Sequence, residues 1–115
     1  NILTISLADT QQFGILRLIV KDWQKAKTLL EKAGCVVHVS EVVAVEVEDH
    51  PGGLEKVLKA IEKAKINVEY MYAFTFRQEN KAIITFRFES PDAAIQLLSS
   101  QGFKIVESSE LFKRV

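Results

Sequence analysis

Val45-Glu46-Val47-Glu48-Asp49-His50-Pro51-Gly52-Gly53-Leu54 is the stretch whose reading decides the fold. Valine at every second position, with glutamate between, describes a strand that has one dry face and one wet face. A proline and two glycines then stop the strand and turn the chain. Leu54, Val57, Leu58 and Ile61 recur at i, i+3, i+4 and i+7, so a helix is expected to run to about Lys65. Glu55 and Lys59 form an i,i+4 pair on its wet side.

Toward the C-terminus, Val68 to Phe76 and Ala82 to Phe88 read as two strands around Arg77-Gln78-Glu79-Asn80. Ser90-Pro91 opens a helix with a cap and a first-turn proline; Ala94, Ile95, Leu97 and Leu98 give it an apolar stripe, and Gly102 ends it. A strand follows from about Phe103 to Val106, and the apolar Leu111 and Phe112 of the tail are expected to dock on a neighbour. Tyr70, Tyr72, Phe74 and Phe76 share one strand face, with Met71 and Ala73 opposite. One face must meet the helices, and two readings stand open for the aromatics: core, or a surface covered by a partner sheet.

Toward the N-terminus, Ile2 to Leu7 alternates as a half-buried strand, Asp9 to Gln12 breaks it, and Phe13-Gly14 leads into a second strand, Ile15 to Val20. Asp22 caps a helix carrying Trp23, Ala26, Leu29, Leu30 and Ala33, and Gly34 stops it. Cys35 to Val39 is expected to be a strand.

The two ends repeat. Shifting by 68 residues lays Ala26 on Ala94, Leu29 on Leu97, Leu30 on Leu98 and Gly34 on Gly102; shifting by 66 lays Asn1-Ile2 on Asn67-Val68. Residues 41–115 then read as a complete βαββαβ unit and residues 1–40 as a partial ββαβ unit. The fold class is α+β, a ferredoxin-like antiparallel sheet with helices on one face. The partial unit lacks an opening strand and helix. Either the natural chain begins earlier, or a partner covers the open edge.

Composition narrows the function. Lysine plus arginine equal aspartate plus glutamate, 15 each, so no basic excess points to nucleic acid. Cys35 is the only cysteine, which excludes an internal disulfide and fits a reducing cytosol. No apolar run reaches a membrane span and the first residues lack a signal-peptide pattern, so a cytoplasmic protein without a membrane partner is expected.

The segment Val45–Leu54, followed by a helix and Ile66-Asn67-Val68, resembles the ACT domain family, and the repeat resembles its stand-alone tandem members. Two positions depart from the family pattern: Asp49 stands where many members have asparagine, and Lys65 where glycine is usual. The resemblance implies a regulatory module that binds an amino acid or similar carboxylate at a seam between ACT units. It implies a homo-oligomer, a dimer, with no catalysis, cofactor or metal of its own. Asp49, His50, Pro51, Gly52, Gly53, Leu54 and Asn67 are the candidate ligand-binding residues. The chemistry agrees. Glycines at a helix start expose N–H groups to a carboxylate, Asp49 can accept from an ammonium, and Asn67 can bond either end.

Three rivals remain. The loop can be an empty turn in a pure oligomerisation module. The fold also hosts RNA-recognition motifs, though Lys81 to Phe88 lacks the glycine and early aromatic of their stacking strand. An enzyme would need a nucleophile, phosphate-binding or metal motif, and none is found; His38 and His50 are the only histidines.

Overall fold

The computed structural model describes residues 2–9, 14–78 and 80–113, and of Leu3, Thr4, Asp9 and residues 74–78 the backbone alone. The elements run β1 (Ile2–Asp9), β2 (Gly14–Val20), α1 (Trp23–Lys32), β3 (Val43–Glu48), α2 (Gly53–Lys63), β4 (Val68–Gln78), β5 (Lys81–Phe88), α3 (Pro91–Ser100), β6 (Lys104–Val106) and α4 (Ser108–Lys113). Contacts divide the chain into two compact units, one within Asn1–Val39 and one within Ser40–Arg114. The fold is α+β with antiparallel sheets.

In the second unit the sheet order is β4-β5-β3-β6, with every pairing antiparallel. Alternation along β3 and β5 sorts their side chains onto two faces. Val43, Val45 and Val47 pack with Ile84, Phe86 and Phe88 against Val57, Ala60 and Ile61 of α2 and Ala94 and Leu98 of α3. The rings of Phe86 and Phe88 stack at 5.1 Å. Ala44, Ile83 and Thr85, on the other face, are also buried. Register puts Tyr72 beside Thr85, so the tyrosines lie on the face away from the helices, where Tyr70 and Tyr72 stack at 6.3 Å. Both are half-buried; the side chains of Phe74 and Phe76 lie outside the described residues. Leu111 is buried within this chain, in α4, rather than waiting for a neighbour.

The first unit is a two-stranded antiparallel sheet, β1-β2, with α1 beside it. The Asp22 carboxylate accepts from the Lys25 N–H at 3.2 Å, capping α1. Gly34 takes φ +90, as its repeat mate Gly102 takes φ +85. A 68-residue shift carries α1 onto the bounds of α3, Trp23–Lys32 onto Pro91–Ser100. The expected turn at residues 10–13 lies outside the described residues.

A second expectation is overturned in the first unit. Cys35 to Val39 forms no strand, and Val36 is 87% exposed. Its repeat counterpart, β6, is a strand because it hydrogen-bonds to β3. Among the described residues the first unit's sheet contains β1 and β2 alone, so residues 35–39 have no described strand to pair with. An extended backbone without a ladder is solvated coil. For the same reason α1 buries none of its residues, and Leu29 is 57% exposed.

Candidate functional site

Asp49–Gly52 joins the end of β3 to the start of α2. The Asp49 N–H donates to the Asn80 carbonyl at 2.7 Å, which ties the loop to the β4–β5 turn. The Gly53 N–H donates to the His50 carbonyl at 3.0 Å, and the Lys56 N–H to the Gly52 carbonyl at 3.3 Å. Gly52 has φ +93, a left-handed conformation that lets the chain enter α2 this abruptly. Gly53 is buried and must be glycine for a different reason. A Cβ there would stand 2.0 Å from the Glu48 carbonyl oxygen, so the helix start lies directly on the strand end.

Gly52 caps α2 without a side-chain hydrogen bond. The Gly53 amide is spent inside the turn, so the first-turn donors that helix geometry leaves over are those of Leu54 and Glu55. They carry the positive end of the α2 dipole. Asp49, His50, Pro51 and Gly52 are exposed. The His50 ring Nδ1 lies 2.9 Å from the Pro51 carbonyl, an acceptor for it in the Nδ1–H tautomer. Leu54 packs against the core and anchors the loop.

Asn67 is not beside this loop. Its carbonyl accepts from the Glu89 N–H at 3.1 Å, next to the Val68–Phe88 pair, whereas the loop follows the Glu48–Lys81 pair. Lys81 and Phe88 are the two ends of β5. The loop and Asn67 are therefore separated by the length of the sheet, about 23 Å at a strand's rise per residue. The cause is α2, which carries the chain back along the sheet before β4 begins. Lys65, with φ +55, makes the turn after α2, the conformation that explains why glycine is usual there.

Sequence reading missed the ion pair beside the loop. Glu48 bonds to Lys81 across the β3–β5 ladder, a juxtaposition set by register 33 residues away. The hydrogen bond from Lys81 holds the Glu48 carboxyl below its ordinary value of 4.5, and the charges of Lys81, His50 and Lys56 act in the same sense. A depressed folded-state pKa adds stability that is present above the unfolded value and lost as pH falls through the folded one. A carbon-detected titration of Glu48 is expected to show a midpoint below 4.5, and Lys81→Met should return it upward. A midpoint unmoved by that substitution would show the pair to be absent in solution.

Among the described residues no three of His, Cys, Asp and Glu gather as a metal site, and no helix is long and apolar enough to cross a membrane. An α+β chain with a glycine loop at a strand–helix junction and an internal repeat is the architecture that the ACT resemblance implies. The family model of the ACT domain pair matches residues 1–115, and the chain belongs to that family. The crystal structure of protein BT0572 from Bacteroides thetaiotaomicron is similar, with a TM-score of 0.89 and 32% identity over 98% of this chain and 77% of that one. No curated protein matches the chain significantly.

Proposed function

We propose that the chain senses an amino acid, held by the Asp49–Leu54 loop, and transmits its presence without chemistry of its own. The observation that supports this most is the start of α2, which no side chain caps, behind an exposed loop with Asp49 three residues before Gly52. A ligand carboxylate would take the N–H groups of Leu54 and Glu55, and its ammonium the Asp49 carboxylate. Asn67 can meet only a ligand held by the loop of a different ACT unit, in keeping with the seam that the family resemblance implies. The lone cysteine, Cys35, fits a cytosolic setting.

A thermal-shift screen of the twenty amino acids tests this reading. One of them should raise the melting point, by an amount equivalent to about 2.7 kcal/mol at a hundredfold excess over Kd. Asp49→Ala should abolish the response. No shift with any amino acid would leave the loop an empty turn.

A second reading, a homo-oligomeric assembly module, draws on the apolar side chains left exposed in the first unit, among them Ile5, Leu7, Trp23 and Leu29. Apolar surface of that kind favours self-association.

A further inference from the structure

β6 pairs with β3 only from Ala44 to Glu46. Beyond Glu46 the same edge of β3 runs on as Val47 and Glu48, while Gly102 and Phe103 carry the chain into β6. The mismatch leaves a cavity of about 260 Å³ inside the second unit, with Val47, Gly53 and Phe103 among its walls. Lys56, Lys81 and Lys104 also line it. Of the ligand loop, only Gly53 takes part.

The three ammonium groups are not equivalent. Lys81 is bound by Glu48, and Lys104 by Glu110 at 3.0 Å. Lys56, one turn into α2, has no ion-pair partner among the described residues. Glu46 and Glu48 also line the cavity, and with Glu110 on Lys104 three carboxylates stand beside the three lysines, which leaves Lys56 as the lysine without an ion pair among the described residues. The volume is below the roughly 300 Å³ at which pockets for drug-sized ligands begin, which limits the occupant to a small metabolite.

We infer that this cavity binds a small carboxylic acid, its carboxylate on the Lys56 ammonium and its short hydrocarbon end against Val47 and Phe103. The site shares only Gly53 with the amino-acid loop and holds whether or not that loop is occupied. Lys56 is the anchor because an anion there gains a charge-assisted hydrogen bond without breaking an existing pair. The hydrocarbon end removes apolar wall from water, which is favourable.

The test uses 3-methylbutanoate and its uncharged twin, 3-methylbutanamide, each titrated into the whole chain and followed by backbone amide shifts. The acid should move the signals of Gly53, Lys56, Gly102 and Phe103, and the amide should bind about tenfold more weakly. Lys56→Met should weaken the acid by a similar factor, whereas Lys59→Met, already paired with Glu55 and outside the cavity, should not. Lys56 is exposed on a helix, where methionine is well tolerated, and Lys56→Gln repeats the test with a polar side chain. Asp49→Ala should leave the acid's binding intact even if it removes the amino-acid response. Equal binding of the two probes, indifference to Lys56→Met, silence at these four amides, or shifts confined to residues 49–52 would each overturn the assignment.

Discussion

Gly53→Ala is expected to destabilise the second unit by about 3 kcal/mol, because the added methyl group has nowhere to go. It would meet the Glu48 carbonyl oxygen at 2.0 Å and the carbonyl carbon at 3.0 Å. Both belong to the backbone of β3, so no side-chain rotation relieves the contact. Either α2 lifts from the sheet or β3 bends, and both disturb the packing of Val47 and Val57. For a unit of this size the melting temperature should fall by about 15 °C in circular dichroism. The neighbouring substitution calibrates the result. At Gly52 nothing lies within 4 Å of an added Cβ, and the cost is the left-handed φ alone, about 1–2 kcal/mol. If Gly52→Ala proves the costlier of the two, the close approach of helix and strand is misplaced.

Phe86→Ala should cost more still, about 4 kcal/mol. Its ring is fully buried, stacks on Phe88 and lies among residues of β3, α2 and α3. Removing it opens a cavity that packed neighbours on several elements cannot collapse to fill. Leu18 stands at the equivalent position under the 68-residue shift, yet it is only half-buried. Leu18→Ala should cost about 1 kcal/mol or less. Urea unfolding of the two variants measures the contrast directly. Equal costs would mean that the first unit owns a core as tight as the second, against the exposure of Leu29 and Val36.

These two experiments separate features that look alike in the sequence. Gly52 and Gly53 are adjacent and chemically identical, yet one is required by its own dihedral angle and the other by a carbonyl group on β3. Phe86 and Leu18 occupy matching places in a repeat, yet only Phe86 is fully buried, in a core shared with α2 and α3. Similarly, both strands of the second hairpin were legible, but their pairing extends to Gln78 and Lys81, into the polar run at residues 77–80. Sequence pattern assigns the tyrosines and Met71 to opposite faces. It cannot say which face the helices cover, because alternation is the same viewed from either side.

What the order of residues determined by itself was everything that depends on neighbours along the chain. It specified β3 from its alternating valines, α2 and α3 from their periodicity, the cap at Asp22, the helix stops at Gly34 and Gly102, and the loop from Asp49 to Gly53. These follow from dihedral preferences and hydrogen bonds that span a few residues. Tertiary structure alone decided the rest. It left residues 35–39 without a partner strand, joined Glu48 to Lys81, drove Gly53 onto β3, and set Asn67 at the far end of the sheet from the loop. Each of these depends on which strands lie side by side, and strand pairing is a contract between distant segments that no local pattern can write.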